Sequence, residues 1–260
     1  MSDLVELKIT DNIAIVKINN PPVNSLSKGV HEVLDDIFTS LPNNRDVRVV
    51  VLTGAGEKAF IAGADLEEIP KMIESPELMA SHMAWTRTVF SKIAKLTQPV
   101  IAAVQSNCVG GGLEVALLCD IIIADERAKF GLPETRLGLI PGGGGTQRIL
   151  KYLSPAKAKE LIMFSSIFSA ADAENYGIIN RVVPAGEAFP VAMELAEKLS
   201  NYPALAVQGV KKAINEGGCM QIEGGLTLEQ EIFMKNFVSD DFKEGVTAFM
   251  EKRKPEFTHK

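Results

Sequence analysis

Two glutamates stand where carboxylates are rare. Glu114 follows Gly110-Gly111-Gly112-Leu113 and runs into Val115-Ala116-Leu117-Leu118; Glu134 closes Phe130-Gly131-Leu132-Pro133, with Leu137-Gly138-Leu139-Ile140-Pro141 close behind. A buried carboxylate is seldom tolerated without a partner, and a second one nearby raises one of the two pKa values. One acid then keeps its proton while the other is charged, which is what giving a proton and activating a water at neutral pH require. A blander account exists for each: Glu114 caps a helix, and Glu134 pairs with Arg136 or Arg148 at the surface.

Two glycine-bearing turns accompany them, Phe60-Ile61-Ala62-Gly63-Ala64-Asp65-Leu66 and Gly110-Gly111-Gly112-Leu113-Glu114. A turn that opens a helix presents N–H groups with no helical partner. If the two turns face each other, they offer two donors to one developing oxyanion, each worth about 2.7–4 kcal/mol in a transition state. Taken alone, either turn is better accounted for by tight strand–helix packing. Gly142-Gly143-Gly144-Gly145-Thr146-Gln147-Arg148 lacks the Lys-Ser/Thr of a phosphate loop and gives a close helix entry beside the site. Gly54-Ala55-Gly56 has Ala59 where a dinucleotide fingerprint needs its third glycine. His31, His82 and His259 are widely separated, and Cys108, Cys119 and Cys219 form no CxxC pair. No metal site and no histidine- or cysteine-based nucleophile relay is expected.

Elements must bring these residues together. Leu4–Ile9 and Ile13–Ile18 alternate about the turn Asp11-Asn12 and predict a hairpin, ended by Pro21-Pro22. Ser27 caps a predicted helix carrying Val30, Val33, Leu34, Ile37, Phe38 and Leu41. Predicted strands follow at Val47–Thr53, Pro99–Gln105, Asp120–Ala124 and Ile178–Val183, with helices at Leu113–Leu118 and Ala170–Tyr176. This alternation indicates an α/β core. From Ala185 onward the pattern is helical only: 185–200, 203–216, 221–237 and 240–253. We therefore expect an α/β core with the active site over residues 1–184 and a helical subdomain over 185–260.

With 260 residues, 46% hydrophobic and 23% charged, the chain is of a size and composition for one large core. A net charge of -6 disfavours nucleic acid as main partner. The apolar stretch Val100–Ala124 is interrupted by Gln105, Asn107, Glu114 and Asp120, so it reads as core rather than a membrane span. Met1-Ser2-Asp3-Leu4 carries no signal or transit pattern, and the cysteine usage suits a reducing, cytoplasmic compartment.

Taken in order, Ala62-Gly63-Ala64-Asp65-Leu66, Gly110–Glu114, Phe130–Glu134 and Pro141–Arg148 resemble the enoyl-CoA hydratase (crotonase) family over nearly the whole chain. The resemblance implies a spiral of strand–strand–helix units and a helical C-terminal region that makes trimers, commonly stacked as hexamers. It implies an oxyanion hole from the N–H groups of Ala64 and Gly111, with Glu114 activating water and Glu134 protonating the α-carbon. It places Ala62, Asp65, Leu66, Phe249 and Lys252 near coenzyme A, the last two reached from a neighbouring subunit. Coenzyme A is then part of an acyl-CoA thioester substrate, and no separate cofactor is implied. Retention of both glutamates favours hydration over isomerisation or a non-catalytic acyl-CoA-binding role. Gln105-Ser106-Asn107-Cys108 departs from the common pattern and bears on acyl preference. Met72, Met79, Met83 and Trp85 suit an apolar acyl wall, or ordinary core.

Overall fold

The computed structural model describes residues 4–259, with the side chain of Lys71 set aside. Met1–Asp3, on which the reading of the N-terminus rests, lie outside the described residues. The chain opens with the expected hairpin, β1 (Val5–Thr10) and β2 (Ile13–Ile18). Asp11 and Asn12 carry positive φ of 49° and 66°, the left-handed pair that matches a tight turn to the twist of its strands. Ser27 accepts from the Val30 N–H and starts α1 (Lys28–Ser40). Next come β3 (Val49–Gly54), β4 (Ala59–Ile61), α2 (Ile69–Ile73) and α3 (Pro76–Ala94). They are followed by β5 (Val100–Val104), β6 (Asn107–Val109), α4 (Gly111–Ala116), β7 (Ile121–Asp125) and β8 (Lys129–Gly131).

Glu134–Leu137 forms a short 3-10 turn. The rest of the core is α5 (Gly145–Arg148), α6 (Pro155–Met163), β9 (Phe168–Ser169), α7 (Ala170–Asn175) and β10 (Arg181–Val183). The last four helices are α8 (Ala188–Ser200), α9 (Ala204–Lys212), α10 (Ile222–Phe237) and α11 (Asp240–Glu251).

Two sheets result. The larger runs β1-β2-β3-β5-β7-β10, parallel from β2 onward; the smaller runs β4-β6-β8-β9. Each of β3, β5 and β7 hands its chain within a few residues to a member of the smaller sheet. This is the strand–strand–helix spiral that the resemblance implied. Both faces of the larger sheet are covered at its centre, which is why β3, β5 and β7 read as nearly unbroken apolar runs. Val50, Leu52, Ala102 and Val104 face the main core with Leu34 and Phe38 of α1 and Val89, Phe90 and Ile93 of α3.

Val49, Val51, Ile101, Ala103 and Ile123 face the opposite way, onto Ala188, Ala192 and Ala196 of α8. Those alanines recur every fourth residue and make a narrow stripe that lets the helix lie close to the sheet. α8 thus shares a core with the sheet, while α9, α10 and α11 pack mainly on one another. A buried tie holds α9 in place: Lys211 Nζ lies 2.7 Å from Asp120 Oδ2 and donates to the Gln98 carbonyl at 2.9 Å. Among the described residues, no helix is long and apolar enough to cross a membrane.

Candidate active site

Topology places the two glycine turns side by side. β4 and β6 are parallel neighbours with Ile61 opposite Cys108, and both strands end in a glycine turn at the same edge. Leu26 clamps the first turn: its N–H donates to the Gly63 carbonyl at 2.8 Å, and it bridges Ala64. The second turn needs glycine at two positions. Gly110 has φ 57° and ψ -129°, a region closed to side chains, and a Cβ on Gly112 would stand 2.0 Å from the Ile61 carbonyl oxygen. That close approach leaves the Ala64 nitrogen 3.8 Å, and the Gly63 Cα 3.6 Å, from the position of a Gly111 Cβ. Gly111, first residue of α4, keeps its N–H outside the helical ladder. The Ala64 N–H has no carbonyl partner among the described residues.

Glu114 is 5% exposed, and its Oε1 accepts from the Gly143 N–H at 2.7 Å and the Gly145 N–H at 2.8 Å. Burial raises its pKa, while these N–H groups and the charge of Arg148 pull the other way. Both bonds fall on Oε1, so Oε2 has no protein partner among the described residues. Glu134, in its 3-10 turn, has a pKa raised to about 7, first by burial and also by the charge of Glu114. Its Oε2 is buried without a hydrogen-bond partner, and its Oε1 lies 3.3 Å from where a Gly110 Cβ would be. The two glutamates therefore share one site with the second turn. Neither blander account applies: α4 has no side-chain cap, and Arg136 donates to the Ser165 carbonyl instead.

One wall is supplied by α3. A Cβ on Gly143 would meet Phe90 Cε2 at 2.6 Å, and one on Gly142 would meet Met83 Cε at 2.7 Å. Behind Phe90, buried His31 stacks at 6.0 Å and also approaches Trp85 at 5.5 Å. Burial lowers the His31 pKa, which keeps this ring neutral and the wall uncharged. Asp65 accepts from Ser25 Oγ and the Glu67 N–H, while Ala62 is half-buried and Leu66 exposed at the mouth of the first turn. Phe249 is 82% exposed, and Lys252 ends α11 with φ 56°; α11 packs on α10. Gln105 Nε2 donates to the carbonyls of Gly54 and Ala59, and Ser106 and Asn107 donate to that of Lys58. The departure at 105–107 therefore ties the β3–β4 loop to β5.

Gly143, Gly145 and Arg148 belong to the site in a way the sequence did not reveal. Their signal was present: four glycines in a row exceed what one close helix entry needs. No group of three or more metal-ligating side chains occurs among the described residues.

Fold and site define a class: an α/β spiral that sets two outward N–H groups beside two carboxyls in unlike environments. Residues 8–260 match the enoyl-CoA hydratase/isomerase family, and the chain belongs to it. It is 39% identical to the short-chain-enoyl-CoA hydratase of Clostridium acetobutylicum over 97% of this chain and 96% of that one. It is 37% identical to a probable mitochondrial enoyl-CoA hydratase of Dictyostelium discoideum, over 95% and 88%. Among solved structures, the enoyl-CoA hydratase of Bacillus anthracis superposes with a TM-score of 0.95 at 38% identity, covering 99% and 100%.

Proposed function

We propose that the protein adds water across the 2,3 double bond of a trans-2-enoyl-CoA to give the 3-hydroxyacyl-CoA. The observation that carries this reading is the unequal pair of glutamates beside the abutting N–H groups of Ala64 and Gly111. Glu114, oriented through Oε1, takes a proton from water at Oε2. The hydroxide equivalent bonds to C3 as the C2–C3 π pair shifts toward the thioester. The charge that develops on the thioester oxygen is held by the two N–H groups. Glu134, protonated up to about pH 7, delivers its proton to C2. One proton is gained by Glu114 and one lost by Glu134, so exchange with solvent resets the pair. The addition is redox-neutral and uses no cofactor beyond the coenzyme A carried by the substrate.

Ala62, Asp65 and Leu66 at the first turn would flank the coenzyme. Phe249 and Lys252 would reach it from a neighbouring subunit in a homotrimer or a dimer of trimers. An exposed apolar row on the last helices, including Ile214, Leu226, Phe233 and Phe249, supports that assembly. We place the enzyme in the cytoplasm, in acyl degradation, with neither nucleic acid nor membrane as partner.

Crotonyl-CoA hydration by the wild type and by Glu114→Gln and Glu134→Gln tests the reading. Each substitution should lower turnover by about 10²–10⁴-fold with the fold intact. Absence of wild-type hydration, with longer enoyl chains also tried, would leave an isomerase or an acyl-CoA-binding protein. Loss in one variant alone would overturn the paired roles and leave a single carboxyl serving as both base and acid.

A further inference from the structure

We propose that Arg148 is a positioning residue for Glu114: its guanidinium, folded back over the glycine turn, holds that carboxyl in its charged form beside Glu134. The proposal rests on the hydratase reading, in which Glu114 must be the base.

The geometry points there from three sides. First, Arg148 lies one helical turn after Gly144, its N–H donating to the Gly144 carbonyl at 2.9 Å. Its Nε leans back to 3.3 Å from the position of a Gly144 Cβ. The segment that grips Glu114 with two N–H groups therefore also carries a cation over the same turn. Second, Nε is buried and has no hydrogen-bond partner, and Arg148 makes no ion pair among the described residues. A buried N–H without a partner is costly, so the placement of this half-buried side chain asks for a gain elsewhere. Third, burial lowers the Arg148 pKa while the charge of Glu114 raises it, so the two groups stabilise each other without touching.

The remaining charges near the pair are few. Glu134, on the 3-10 turn, has its own pKa raised by the charge of Glu114. Tyr152, after α5, faces Arg148, with Asp120 and Cys119 behind it. From α3 comes apolar Phe90. Arg148 is thus the cation that favours the charged form of Glu114. Sequence pattern offered it only as a surface partner for Glu134, a role it does not take.

The test compares pH profiles of kcat/KM for crotonyl-CoA hydration in wild type, Arg148→Met and Arg148→Lys. Methionine should lower kcat/KM by about tenfold or more on the acidic side, the low end for loss of a nearby opposite charge. The acidic limb should move to higher pH while KM stays near wild type. Lysine, which keeps the charge, should hold the limb in place even if the maximum falls. An unmoved limb in Arg148→Met, or one moved equally by lysine, overturns the proposal. Should the methionine variant fold poorly, Arg148→Gln replaces it with the same expectation. Infrared titration of the Glu114 carboxyl, identified by its loss in Glu114→Gln, reads the same shift without turnover. An inactive wild type would sink the hydratase reading, while this titration would still decide the role of Arg148.

Discussion

Glu134→Gln should make the protein more stable in alkaline solution while stopping its chemistry. A carboxyl whose pKa is higher in the folded than in the unfolded state binds its proton more tightly when folded. Its contribution to stability is fully present below the unfolded value and is lost as pH rises through the folded one. For Glu134 that window runs from 4.5 to about 7. A rise of that size corresponds to about 3.4 kcal/mol for a fully buried group. Glu134 is half-buried, and solvent screening reduces the figure by about half, to ~1–2 kcal/mol. Glutamine is neutral throughout and escapes the loss. Urea unfolding at one fixed protein concentration, from pH 5 to pH 8, measures it: the advantage of the variant should grow by ~1–2 kcal/mol across the series. The amide left at the position of the unpaired Oε2 adds a constant offset, so the slope with pH is the decisive quantity. An advantage that does not change with pH would refute a raised Glu134 pKa, and with it the acid role assigned above.

Neighbouring glycines in the 142–145 run should respond unequally. A Gly143→Ala methyl would stand 2.6 Å from the Phe90 ring and 2.7 Å from Glu114 Oε2, whereas Gly142→Ala meets the flexible end of Met83. Turnover should fall about 100-fold or more in the former, as for a displaced catalytic group, and less than about tenfold in the latter; equal losses would show that the run serves helix entry alone. On α10, Phe233 is 62% exposed, and Phe233→Asp should reduce the assembly state seen by sedimentation velocity. A wild type that sediments as a monomer would remove the trimer from the proposal.

Long elements with a strong pattern could be read in advance. The hairpin declares itself by alternation about the Asp11-Asn12 turn, and the helix after Ser27 and the apolar run at 49–54 by faces buried over several residues. β4, β6, β8 and β9 span two or three residues each, too few for alternation to register, yet they carry the glycine turns to one edge. α3 was missed for another reason. Its first half is largely exposed and its buried residues, Thr86, Val89, Phe90 and Ile93, come late, although Ser75-Pro76-Glu77 is a sound helix start. The glutamates were legible because a carboxyl within apolar residues violates the local rule. Arg148 was not, because an arginine after glycine-rich chain violates nothing until its Nε is found buried and unpaired.

What separates the two carboxyls is backbone rather than charge pattern. Glu114 is the more deeply buried, and burial alone would make it the weaker acid. The Gly143 and Gly145 N–H groups oppose that tendency by stabilising its charged form at Oε1, although burial remains the larger influence. They can approach because a Cβ at 143 or 145 would fall 2.7 or 3.0 Å from that carboxylate. Glu134 receives no comparable donor from another residue; its own N–H is what lowers its pKa, and Glu114's charge raises it. The glycine run therefore does electrostatic work at a distance from its own sequence position: it favours the ionised form of Glu114, a donation Glu134 lacks. The same chain that fixes the base also creates the field that keeps the acid loaded.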